Sequence, residues 1–138
     1  MNERFIRYRQ KIDFIAEKLS NLPKDFDNEL AVDATLYRIQ TAIDAVMDIA
    51  AMLVKDKNKS VGDDYSNIKA LLKAGVINKK DMEELTMING LRNAIVHKYN
   101  SFEEETVINS LSEIVSIIKG FVKVAENEIN TIFKKNKG

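Results

Sequence analysis

The chain has 138 residues, 45% of them hydrophobic and 30% charged, with 21 basic side chains set against 21 acidic ones. That length suits one domain with a real core, and that mixture is globular rather than disordered. A net charge of zero argues against a protein that coats nucleic acid non-specifically, and the absence of cysteine excludes disulfides and thiolate metal sites.

No apolar run approaches the roughly 20 residues that span a bilayer. Met1-Asn2-Glu3-Arg4-Phe5 is charged from the outset and lacks the apolar core of a signal peptide. The expectation is a cytoplasmic protein without membrane contact.

Phe5, Tyr8, Ile12, Ile15, Leu19 and Leu22 recur in steps of three and four and predict a first helix, stopped by Pro23. Val32, Leu36, Ile39, Ile43, Val46, Ala50 and Leu53 predict a second, ending in Lys55-Asp56-Lys57-Asn58-Lys59, which has nothing apolar to bury. Val61-Gly62-Asp63-Asp64 reads as a loop with an aspartate N-cap. A short helix with Ile68, Leu71 and Leu72 follows, and Gly75 suits its C′ position. Asn78 caps a fourth helix, where Asp81 favours the positive dipole end and Met82, Leu85, Ile88, Leu91 and Ile95 form the stripe. Ser101-Phe102-Glu103-Glu104 has capping-box spacing and opens a long last helix with Val107, Leu111, Ile114, Ile118, Val122, Ala125, Ile129 and Ile132. Ile108, Val115, Ile117 and Phe121 lie off that stripe, which implies either a wider buried face or a surface covered by another subunit. The predicted fold is all-α: a single domain over 1–138, an up-and-down antiparallel bundle of four long helices and one short helix.

The fourth helix ends in Arg92-Asn93-Ala94-Ile95-Val96-His97-Lys98-Tyr99, which contains the only histidine of the chain. Histidine is the side chain whose ordinary pKa lets it trade protons near neutral pH, and the arginine fork matches phosphate oxygens. Together they suggest acid–base chemistry on a phosphodiester. On a regular helix Arg92 and His97 stand about 140° apart, whereas Asn93 and His97 share a face. Joint action therefore needs a helix that loosens near Gly90 or ends near His97, an arginine that reaches round a rim, or a histidine from another chain. Gly90 costs roughly 0.5–1 kcal/mol relative to alanine inside a helix, so it implies close approach of another helix backbone or a bend that aims Arg92.

Each residue also has an ordinary structural explanation. His97 is placed to cap a helix end, Arg92 to pair with Glu84 or Asp81, and Tyr99 to pack its ring, while Asp44 and Asp48 read as solvated. Metal chemistry is not expected. The single histidine lacks the Glu-x-x-His context of di-iron bundles, no zinc spacing exists, and there is no phosphate-cradling loop or nucleophile elbow.

Arg92-Asn93 with His97-x-Tyr99, on a helical chain of this length, resembles the HEPN superfamily, and most of all the HepT-type toxins of prokaryotic HEPN–nucleotidyltransferase (MNT) toxin–antitoxin pairs. The segment Leu36–Ala50 has the character of the second helix of that family. The resemblance implies a metal-independent endoribonuclease without a cofactor. Arg92 and His97 would be catalytic and Asn93 supporting, and Tyr99 would be the tyrosine that the partner nucleotidyltransferase modifies with AMP to silence the toxin. RNA supplies its own nucleophile, the 2′-OH, so cleavage needs a base, an acid and a cation for the phosphorane charge. A single imidazole does not readily perform both proton transfers, and a two-fold homodimer brings two copies of His97 and Arg92 to one cleft. Two other readings compete: a non-catalytic helical partner or nucleotide-binding subunit of a nucleotidyltransferase, and an unrelated interaction protein in which His97 is only a cap.

Overall fold

Short polar side chains set where the helices begin. In the computed structural model, which describes residues 2–97 and 101–135, Asn2 Oδ1 accepts the N–H of Arg4 at 2.8 Å and opens α1 (Glu3–Ser20). Asn28 accepts from Ala31 at the start of α2 (Glu29–Asp56), and Asp63 accepts from Ser66 at the start of α3 (Asp64–Lys73). At α4 (Lys79–His97) the cap is reciprocal. Asn78 Oδ1 accepts from Asp81 N–H at 2.8 Å, and Asp81 Oδ2 accepts from Asn78 N–H at 3.1 Å. Each bond satisfies a donor that helix geometry leaves orphaned, and each cap contributes about 1 kcal/mol.

The ends of α2 and α3 share one closure. Lys59 N–H bonds Val54 C=O and Asn58 N–H bonds Lys55 C=O, with Asn58 at φ 59°. Val76 N–H bonds Leu71 C=O and Gly75 N–H bonds Leu72 C=O, with Gly75 at φ 77°. Both are Schellman motifs, and both place at C′ a residue type that tolerates left-handed backbone. The buried Asn67 ties down the loop before α3: its side chain accepts from Gly62 N–H and donates to Gly62 C=O.

The last helix departs from expectation. It is two helices, α5 (Ser101–Asn109) and α6 (Leu111–Lys135), abutting at Ser110. Ser110 N–H is shared between the carbonyls of Thr106 and Val107, while its own carbonyl accepts from Ile114 N–H at 2.9 Å and starts the new helix. The apolar stripe runs across this junction, and the spacing Ser110-x-x-Glu113 is the local signal of a new start. The expected cap at Ser101 involves a side chain outside the described residues.

The six helices form an all-α bundle, with no strand among the described residues. α2 lies at its centre and packs against every other helix. This is why it is buried on more than one face, and why Ala42, Ala45 and Ala50 sit among its larger core residues: small side chains let neighbours approach. Ile39, Ile43, Ile49 and Leu53 of α2 share one core with Tyr8 and Ile15, Ile68 and Leu71, Ile88, and Ile114, Ile118 and Ile129. Ile117 and Phe121 are buried and Val115 packs against the core, so a wider internal face accounts for these three, while Ile108 is half-buried and not part of the core.

Cross-helix bonds fix the antiparallel sense. Arg4 pairs with Asp56 and Lys11 with Asp48, so α1 and α2 run in opposite directions. Arg9 pairs with Glu126, and Phe5 meets Phe133 edge-on, so α1 and α6 do the same. Tyr8, with no exposed surface, donates its hydroxyl to Asp56 at 2.5 Å, and the same carboxylate takes Arg4 Nε at 2.6 Å. Burial first, and then the bond to Asp56, push the Tyr8 phenol well above its usual range. No helix of the described residues is long and apolar enough to cross a membrane.

Candidate functional site

α4 carries Arg92, Asn93 and His97 on one unbroken helix that continues to His97. A regular helix holds Arg92 and His97 about 140° apart about its axis, so within one chain they do not share a face. α4 is continuous through Gly90, and a Cβ added there would meet nothing within 4 Å. Among the described residues no close approach at Gly90 explains that glycine, and α4 ends at His97, one of the two places expected.

The guanidinium of Arg92 is held from two sides. Its Nε donates to Asp44 Oδ1 at 2.5 Å, and Nη1 donates to Asn93 Oδ1 at 2.9 Å. The expected pairing with Glu84 or Asp81 does not occur; the partner is on α2, 48 positions away. Asp44 is therefore part of the site rather than merely solvated. The Arg92 side chain is 28% exposed and that of Asp44 37%, so solvent reaches both. Such a half-exposed pair contributes little to stability. It does fix the orientation of a planar fork, and among the described residues Nη2 makes no hydrogen bond and keeps both its donors.

The surroundings of Arg92 are acidic. Asp64, in the first turn of α3, has its carboxyl held above the usual range, chiefly by burial. Asp48, Asp44 and Asp63 push in the same direction, and Arg92 opposes them. Asp48 is in turn paired with Lys11 of α1 at 2.9 Å. Arg92 thus bonds one carboxylate of α2 and lies within electrostatic reach of another in α3.

The His97 side chain is exposed at the end of α4. It follows Met87, Gly90 and Ala94 at steps of three and four, and Met87 is 39% exposed. This stripe faces away from the core. Of the residues picked out in the motif, Arg92 and Asn93 are bonded to each other, His97 lies one turn after Asn93 on the exposed end of α4 and off the face of Arg92, and Tyr99 lies outside the described residues. Sequence reasoning missed Asp44 as the partner of Arg92. The available signal was a pair of carboxylates, Asp44 and Asp48, interrupting the most apolar part of α2.

Residues 8–125 match the ribonuclease HepT-like family. A protein of Archaeoglobus fulgidus named "Putative RNase" is 39% identical over 126 residues, which cover 91% of this chain and 96% of that protein. Among solved structures, a toxin–antitoxin complex with AMP-PNP aligns with a TM-score of 0.77 at 18% identity, covering 91% of this chain and 99% of the other. A tri-AMPylated HEPN toxin of Shewanella oneidensis in complex with an MNT antitoxin aligns with a TM-score of 0.72 at 18% identity, covering 92% and 99%. At that identity the solved structures establish the shared fold, and the sequence matches carry the family. By the sequence matches, this chain belongs to the ribonuclease HepT-like family.

Proposed function

We propose that this protein is a metal-independent endoribonuclease toxin that cuts RNA at a composite site across a homodimer. The observation that carries the reading is the fixed guanidinium of Arg92, clamped by Asp44 and Asn93 with donors to spare for a phosphate. Charge-assisted, bidentate bonds from such a fork suit a phosphodiester, and more so the phosphorane formed during cleavage.

In this mechanism the 2′-OH of the substrate attacks the adjacent phosphorus. One His97 takes the 2′ proton, the His97 of the second subunit protonates the departing 5′ oxygen, and the products are a 2′,3′-cyclic phosphate and a free 5′-hydroxyl. Both Arg92 guanidiniums hold the non-bridging oxygens as negative charge builds. Asn93 and Asp44 keep Arg92 aimed. Two proton transfers with one histidine per chain call for two chains.

The open surface at Gly90 supports the same arrangement. Among the described residues nothing approaches that glycine to offset its cost, and the stripe Met87, Gly90, Ala94 and His97 suits contact with the α4 backbone of a second copy.

The partner in this reading is an MNT-type nucleotidyltransferase antitoxin that transfers AMP to Tyr99. Each AMP would add a negative charge and a bulky nucleoside two residues from His97, repelling an RNA phosphate and competing for Arg92. The test is direct. Purified protein in EDTA is expected to cut single-stranded RNA and leave 2′,3′-cyclic phosphate ends. After incubation with ATP and the cognate nucleotidyltransferase, mass spectrometry is expected to find AMP on Tyr99 and the cleavage is expected to cease. No cleavage by the unmodified protein, or an adduct elsewhere with Tyr99 bare, would count against the proposal.

A further inference from the structure

Next to the Arg92 site lies a feature the proposed mechanism does not use. A groove of about 620 Å³ runs between α1 and α2, and Asp44, the partner of Arg92, forms part of its wall. This is within the size range of small-ligand sites. Its two edges are regular. On α1, Arg7, Lys11, Phe14 and Lys18 follow at steps of four, three and four and so lie along one face. On α2, Tyr37, Thr41, Asp44 and Asp48 do the same. Because the two helices are antiparallel, Lys11 meets Asp48 at one end, while at the other Lys18 Nζ lies 5.2 Å from the ring of Phe14 and 5.6 Å from that of Tyr37.

The chemistry of the groove is specific. Phe14 is 38% exposed and Tyr37 58%, an unusual cost for two aromatic rings on a monomer surface unless something covers them. Both sit beside a cation, and Arg7 stands exposed on the α1 edge. Aromatic faces interleaved with basic side chains are what single-stranded nucleic acid requires: bases stack on rings while phosphates track the cations. The carboxylates on the opposite edge are acceptors for the amino groups of bases.

We propose that the α1–α2 groove is a subsite for a nucleotide of the RNA flanking the scissile phosphate, with its base stacked on Phe14 and the phosphates on its two sides drawn one to Arg7 in the groove and the other to Lys18 just beyond it. The subsite rests on the ribonuclease reading above. Its lining cations, Arg7 and Lys11, are matched by Asp44 and Asp48, so the groove engages RNA by stacking and single phosphate contacts rather than by net charge.

The probe is a short single-stranded RNA, fully 2′-O-methylated so that no 2′-OH attack can occur, with binding followed by fluorescence anisotropy on the full chain. Phe14→Ala is expected to weaken binding about ten-fold and Phe14→Tyr to restore it, because the stack and not the apolar volume is what matters. Arg7→Gln is expected to flatten the dependence of log affinity on log salt by about 0.7. Cleavage of unmodified RNA is measured in parallel. If the wild-type protein cuts RNA and Phe14→Ala binds and cuts equally well, the subsite is wrong and the ribonuclease stands. If binding depends on Phe14 but no cleavage occurs, the groove is an RNA-binding site, while the ribonuclease reading falls and the groove's place beside a scissile phosphate falls with it. If Phe14→Ala sediments as a smaller species than wild type, the groove is a subunit contact and the subsite is overturned.

Discussion

Asp44 and Arg92 are 48 positions apart, and no periodicity or spacing connects them. Arg92, Asn93 and His97 stand out in the sequence because they lie within six residues of one helix and are chemically distinctive. Asp44 was not, because only the packing of α2 against α4 brings it to the guanidinium. If it positions Arg92, Asp44→Asn keeps the shape but loses the charge partner. Single-turnover cleavage is then expected to slow by about ten- to a hundred-fold with little change in KM, since misplacing a transition-state contact has effects of that order. A rise in KM at unchanged kcat would instead make Asp44 a ground-state binding group. A second residue-scale prediction concerns Tyr8. Its buried hydroxyl bonds the Asp56 carboxylate, so Tyr8→Phe is expected to reduce unfolding free energy by about 1.5–3 kcal/mol. The folded state holds the phenol proton above the usual range, whereas the unfolded chain releases it near pH 10. Stability from this source is therefore complete below about pH 10 and declines as pH rises further, and Tyr8→Phe should remove that slope in chemical denaturation.

At the scale of elements, patterns of three and four residues located every long helix; Asn78 makes the cap bond expected of it, and of the two aspartates in Val61-Gly62-Asp63-Asp64 it is Asp63 that caps α3. Gly75 adopts the left-handed C′ conformation expected of it. The break at Ser110 escaped because apolar periodicity is blind to a one-residue interruption when the stripe resumes in phase. At Gly90 the sequence signals a close approach but not which molecule supplies it. The prediction belongs to α4. Gly90→Ala has room within the chain and lowers the cost of helix formation, so the isolated fold is expected to gain about 0.5–1 kcal/mol. In the proposed dimer, the same methyl intrudes on the partner, so sedimentation should show weaker association. Unchanged or tighter association would remove α4 from the interface.

For the molecule as a whole, a central helix touching all the others holds two site elements in register. α2 presents Asp44 to Arg92, and α2 together with α1 forms the groove beside it. Neutral overall charge and a local basic edge are compatible, because long-range steering and local phosphate contact are separate demands. The account as a whole depends on His97 moving protons during RNA cleavage. The most direct measurement is the single-turnover cleavage rate of His97→Ala against wild type in EDTA, with circular dichroism confirming equal helicity. General acid–base catalysis predicts a fall of at least about a hundred-fold. A rate equal to wild type would contradict the mechanism.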